Sequence, residues 1–260
     1  MEQQENDENG EQIGTLFPPR WRQAELRSAC DANQRRNKPP YAGVVISTIG
    51  ELRWLLHEHH WPYENTKKLQ RQFDQGIIQE ANLQEIILSM VDLSGIQLCY
   101  ANLAGACLDG ANLSNAHLWC ANLAGASLNR ANLSSGMLGR ANLEGASLRS
   151  ASLQGTNLTK TNLRNVDLTG ASLRFADLRL ANLQHAHLNG ADLRDVYLVN
   201  TDLSGADLTG ANLSHLNLIR TNLEGATLRH ANLSDARIKQ QIVKRESTYR
   251  EKHNIWREAP

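Results

Sequence analysis

The sequence predicts an all-β solenoid, and three observations predict it. Leucine returns every fifth residue from Leu83 to Leu233, at 31 successive positions without insertion or deletion, and Ile238 takes the next position. Two residues before each leucine stands a small or apolar residue, usually alanine as at Ala101, Ala111, Ala121 and Ala131, elsewhere Thr156, Val166, Val196 or Leu216. A period of five fits neither a helix, which would send such residues to different faces, nor a strand, which repeats on two. Self-similarity at a fixed period marks folds in which each unit buries its apolar face only by stacking on its neighbours.

The leucine and the residue two before it are expected to point into a narrow core, and the other three positions to face outward or turn the corner. Alanine suits a core too narrow for two large side chains per side. The structural ladder of one side is then Leu103, Leu123, Leu143, Leu163, Leu183, Leu203 and Leu223. Full burial of each leucine contributes roughly 1.5–3 kcal/mol. The units ANLAG at 101–105 and ADLTG at 206–210 carry the motif A(D/N)LXX, which resembles the pentapeptide-repeat family. That resemblance implies a right-handed quadrilateral β-helix, four pentapeptides to a coil and about eight coils. At strand spacing such a rod is about 38 Å long.

Taken in order, residues 1–14 are acidic, polar and aperiodic, and a disordered tail is expected there. Residues 15–65 read as a small appended α+β region. Prolines at 18, 19, 39 and 40 bracket a helix from Trp21 to Arg36, AGVVIST is β-branched enough for a short strand, and Thr48-Ile49-Gly50-Glu51 reads as a capping box opening a helix to His60. Residues 66–80 read as a capping helix with Leu69 and Phe73 over the first coil, because an open solenoid end exposes leucines and backbone groups. The repeat occupies 81–240. Beyond it, Ile242, Tyr249 and Trp256 recur at seven-residue spacing on a charged helix over 241–260. Two roles remain for that helix: a cap on the last coil, or the homodimer contact that some members of the resembled family make at their C-terminal end.

Composition sets the remaining bounds. Lysine and arginine number 27 and aspartate and glutamate 27, so the chain is formally neutral and lacks a nucleic-acid binder's basic excess. No apolar run is long enough to span a bilayer and no signal peptide opens the chain, so a soluble cytoplasmic protein, bacterial in type, is expected. Cys30, Cys99, Cys107 and Cys120 have irregular spacing and are expected as reduced thiols. His57-Glu58-His59-His60 lacks metalloprotease spacing, since Trp61 stands where the second histidine is required. No triad, phosphate loop or cleft-forming segment is present, so no catalytic, cofactor or metal residue is assigned and no enzyme is expected.

Sorting outward residues by a 20-residue coil separates one face from the others. The face centred on Leu98, Leu118, Leu138, Leu158, Leu178, Leu198, Leu218 and Ile238 has no glycine at its second corner position. It carries Tyr100, Trp119, Met137, Leu180, Tyr197, Val199 and Ile219 together with Arg140, Lys160, Arg179, Arg220, Arg237 and Lys239, and Asp177 is its one acid. The rest of 81–240 holds 6 basic residues against 11 acidic ones. An apolar and basic strip on an acidic rod is the candidate interaction surface. Its occupant is a partner protein, a second copy, nucleic acid or a membrane surface, or this chain's own 15–62 region and acidic tail. The functional expectation is a non-enzymatic interaction scaffold. The alternative implied by the resemblance, a DNA-mimicking protector of a type II topoisomerase, asks for a strongly negative rod, whereas acids and bases here balance at 12 each over 81–240.

Overall fold

The computed structural model describes residues 20–35, 41, 44–46, 50–52, 55 and 81–238. The expected tail at 1–14, the capping helix at 66–80 and the helix at 241–260 lie outside the described residues.

From Ala81 onward the chain winds into a four-sided coil. Parallel bridges join residues 20 apart on every side, beginning with Asn82↔Asn102, Ile87↔Cys107, Asp92↔Asn112 and Gln97↔His117. We number the faces one to four in that order and the coils one to eight from residue 81. Every centre leucine from Leu83 to Leu233 is buried, as is Ile238, and the alanines two before them are buried with them except Ala226, which is partly buried.

The backbone explains the five-residue unit, because each of its N–H groups has a fixed destination. In the unit around Leu103, Asn102 N–H donates back to Ala81 O at 2.7 Å, Leu103 N–H forward to Asn122 O at 2.7 Å, and Gly105 N–H forward to Ala124 O at 2.9 Å. Ala106 N–H closes the corner on Leu103 O at 3.0 Å. The fifth amide, that of Ala104, donates to the side-chain Oδ1 of Asn102 at 3.3 Å. An Asx side chain bonding the backbone two residues on is what Asn and Asp do well, and this turn is why they precede the leucine. The corner holds its third residue in the left-handed region, as at Gly105 with φ 66°.

Threonine replaces the inner alanine without leaving its hydroxyl stranded. Thr156, Thr161, Thr201 and Thr221 are buried, and each donates to the carbonyl of a leucine in the preceding coil, as Thr201 Oγ1 does to Leu178 O at 2.7 Å. That carbonyl already accepts one corner amide, so its second lone pair is used.

At the N-terminal end, α1 spans Arg20–Arg35. Val45 forms a parallel bridge to Ile87 on the second face, with Ile46 N–H on Ile87 O at 2.8 Å and Ile87 N–H on Val44 O at 2.9 Å. The first coil thus has a backbone partner on this side. The carbonyl of Val45 points the other way and accepts Arg22 Nη2 at 2.7 Å, while Arg22 Nε donates to Glu51 Oε1 at 3.1 Å. One guanidinium from α1 therefore closes an open strand edge and joins it to the 50–52 segment.

Candidate interaction strip on the fourth face

The corners show how the fourth face differs. Left-handed backbone suits glycine, and a side chain there costs roughly 1–2 kcal/mol. Second corner positions on the other faces hold 11 left-handed glycines and 13 left-handed residues with side chains, four of them the tolerant Asn and Asp and the rest including Glu85, Met90, Arg130 and Phe175. On the fourth face the same conformation is held by Tyr100, Cys120, Arg140, Lys160, Leu180 and Asn200, with φ between 57° and 63°. Side chains are retained there against the backbone's preference.

The position before the leucine departs as well. Met137 and Tyr197 stand where Asn or Asp would accept the following amide, so the Asx bond to Gly139 or Val199 is given up. On the second face the same loss is compensated. Ser127 and Ser147 occupy that position, and the amides of Asn129 and Arg149 donate instead to Asp109 Oδ1 at 2.8 Å and Asn129 Oδ1 at 3.1 Å in the preceding coil. Trp119 and Arg179, which stand in the corresponding place one coil earlier, offer no such acceptor.

The expected strip residues divide by exposure. Tyr100 is 57% exposed, Met137 42%, Leu180 51%, Tyr197 60% and Val199 41%. Arg140, Lys160, Arg179, Arg220 and Arg237 are exposed, whereas Trp119 and Ile219 are half-buried. The Trp119 ring reaches over Gly139, where a Cβ would collide with it, and Arg140 caps the ring with Cζ 5.8 Å from the centroid. Asp177 is occupied by Arg179, with Nη2 to Oδ2 at 2.6 Å. That hydrogen bond, outweighing partial burial, holds the Asp177 carboxyl below its ordinary range. Among the described residues, Arg140, Lys160, Arg220 and Arg237 make no ion pair.

Two features escaped the sorting by position. Phe175, 47% exposed, stands at the corner that leads into the fourth face, with Arg174 Cζ 5.0 Å from its ring. The fourth-face ladder also opens. Bridges run from Gln97 to Tyr197 and resume at Asn217↔Arg237, but Tyr197 and Asn217 are not bridged, and Asn200 N–H bonds Arg220 O in place of the Ile219 carbonyl that the pattern requires. Arg220 is the one described second-corner residue of this face outside the left-handed region. The signal was in the sequence: Val196 and Leu216 stack in the column that alanine normally fills, and two bulky residues in succession push the coils apart. Val166, flanked by Ala146 and Ala186, leaves its ladder closed.

Elsewhere the outward residues are structural. Asn122, Asn142 and Asn162 on the first face each donate Nδ2 to the Oδ1 one coil earlier, at 3.0, 3.2 and 3.0 Å. His185, His187, His215 and His230 are exposed, and the described cysteines are free thiols. Among the described residues no cluster of His, Cys, Asp and Glu could hold a metal ion, and no helix is long and apolar enough to cross a membrane.

The chain is similar to several proteins of known structure. HetL of the cyanobacterium Nostoc sp. strain PCC 7120, a pentapeptide repeat protein involved in heterocyst differentiation regulation, is 34% identical, with 67% of this chain and 97% of that one covered and a TM-score of 0.21. The pentapeptide repeat protein alr5209 from Nostoc PCC 7120 is 32% identical over 40% of this chain and 69% of its own, with a TM-score of 0.27. The plasmid-mediated fluoroquinolone resistance protein QnrB1, trypsin-treated, is 17% identical over 66% of this chain and 90% of its own, with a TM-score of 0.46. No curated protein sequence matches the chain. The family description "Pentapeptide repeats" matches in 8 copies over residues 77–115, 106–145, 146–184, 176–214 and 206–240, more than half of the sequence. The chain belongs to the pentapeptide-repeat family, whose fold is the right-handed quadrilateral β-helix.

Proposed function

We propose that the chain is a non-enzymatic scaffold that binds a protein partner along its fourth face. One observation carries this reading: glycine relieves strain at 11 left-handed corners of the other faces and at none of those described on the fourth. Strain retained at a surface without a packing role is a mark of a functional site. The interaction core is the patch on coils five to seven formed by Phe175, Leu180, Tyr197 and Val199, with Ile219 beside it and Arg220 at its rim. Aromatic, aliphatic and arginine side chains in one desolvatable patch match the composition of interface centres.

DNA mimicry is the weaker reading for this rod. A duplex presents one negative charge per roughly 1.7 Å of axis, whereas acids and bases over 81–240 balance at 12 each.

The test is capture of proteins from the source cell by the intact chain and by a Tyr197→Glu, Leu180→Glu variant, with Asn189→Glu on the second face as control. The proposal expects specific proteins retained by the wild type and the control and lost from the fourth-face variant. An identical set on all three would remove the fourth face as the binding surface.

A further inference from the structure

Charges on and beside the second half of the strip are paired, with two exceptions. On coil five Asp177 and Arg179 neutralise each other, with Nη2 to Oδ2 at 2.6 Å. On the adjoining third face Arg194 is held by Asp192 at 2.6 Å, and Arg174 reaches Asp195 at 3.7 Å. Arg220 and Arg237, on coils seven and eight of the fourth face, are exposed and have no acidic partner among the described residues. Leu180, Tyr197 and Val199 lie exposed between the neutralised pair and these two cations. Along the axis this end of the strip is therefore first apolar and then cationic.

The backbone singles out the same place. The regular ladder would send Asp195 N–H to Ser214 O, Asn217 N–H to Val196 O and Leu198 N–H to Asn217 O, and none of these bonds forms. Asn200 N–H passes over Ile219 and takes Arg220 O at 2.8 Å. Such a slip by one residue acts as a β-bulge does, breaking the ladder locally and re-aiming a side chain. Arg220 accordingly leaves the left-handed conformation shared by the six corner residues that precede it on this face. One outward donor is also left open. An Asn or Asp at 197 would accept Val199 N–H, and Tyr197 provides no such acceptor.

These dimensions and charges fix the form of an occupant. Arg237 stands three coils beyond Leu180, about 14 Å along the axis at strand spacing and the length of about five extended residues. Two guanidiniums are too few for a duplex that brings one negative charge per roughly 1.7 Å of axis. They suit carboxylates, which arginine receives in a planar fork.

We propose that coils five to eight of the fourth face take an extended acidic segment of a partner protein. Its aliphatic or aromatic side chains lie on Leu180, Tyr197 and Val199, and its carboxylates are received by Arg220 and Arg237. Val199 N–H donates to a backbone carbonyl of the segment. This rests on the fourth face being the interaction surface and names the chemistry of what binds there.

An immobilised array tests it, using peptides of about six residues, long enough to span the patch, composed of Asp, Lys, Ser, Leu and Tyr in all orders and probed with the intact chain. The expected result is retention by peptides with Leu or Tyr towards one end and Asp towards the other. Binding should weaken about tenfold in Arg220→Gln and stay unchanged in Arg140→Gln, which removes an exposed cation from the far half of the same face. The double reversal Arg220→Glu, Arg237→Glu should move the preference from Asp peptides to Lys peptides, a change that loss of fold cannot produce. Equal retention of Asp, Lys and Ser peptides overturns the proposal, as does a preference for Asp that survives the double reversal. Tighter binding of single-stranded oligothymidine than of any acidic peptide overturns it as well. After any of these results, the Tyr197→Glu, Leu180→Glu variant separates the two claims. If it still loses its captured proteins, the scaffold reading stands and the acidic segment falls; if it keeps them, the fourth face falls too.

Discussion

The amide that follows a centre leucine has no backbone partner in the coil, and where Asn or Asp stands two residues earlier its side chain completes it, as Asn102 does for Ala104. That requirement explains Asn and Asp more specifically than surface polarity does, and it makes aspartates in this position titrate with folding. Hydrogen bonds from Arg179 to Asp177, from Arg194 to Asp192, and from Thr209 and Asn189 to Asp207 hold these carboxyls below their ordinary range against partial burial. Protonation is then favoured in the unfolded chain, so their stabilisation is present above the ordinary carboxylate range and is lost as pH falls through the lowered values. Thermal midpoints should show no pH dependence from these groups above about pH 5 and decline below about pH 4. A midpoint that rises on acidification would contradict the assignment. The buried threonines offer a neutral counterpart. Thr201→Val removes one hydroxyl bond while Leu178 O keeps its corner amide, and should cost about 1 kcal/mol in denaturant unfolding; a loss near zero would mean the hydroxyl bond contributes nothing net.

At the scale of elements, legibility depended on range. The β-branched run near Val45 and the helix between the proline pairs were readable because their signals are local, and α1 at Arg20–Arg35 lies within a residue of the expected bounds. The strand's partner was not readable. Its pairing to Ile87 spans some forty residues and depends on the guanidinium of Arg22, and neither leaves a periodic trace. Arg22→Leu removes the donor to Val45 O and leaves the buried Glu51 carboxylate without that guanidinium, a change of roughly 3 kcal/mol for a largely buried pair. Because solenoid stability is carried between neighbours, the effect should stay local. Hydrogen exchange should quicken at the Ile46 and Ile87 amides and remain unchanged at Leu183 and Leu203. Uniform quickening along the rod would show that the segment governs the whole coil.

For the whole molecule, the unbroken leucine period makes the fold readable, because position along the chain converts into face and coil without alignment. The same arithmetic located the fourth face through the missing glycines. It did not identify Phe175, which belongs by position to the third face and stands at the corner that leads into the fourth. Nor did it reveal the opening at Tyr197, because a ladder fails through the stacking of Val196 on Leu216, residues that lie a full coil apart in the sequence. The central claim is that fourth-face corner side chains serve recognition at the expense of the rod. The direct measurement is the thermal midpoint of Lys160→Gly and Leu180→Gly. Relief of left-handed strain, set against glycine's greater unfolded-state freedom, should leave each variant more stable by up to about 1 kcal/mol. A lower midpoint in both variants would show that these side chains hold the fold together, and the claim that they are kept for binding would fall.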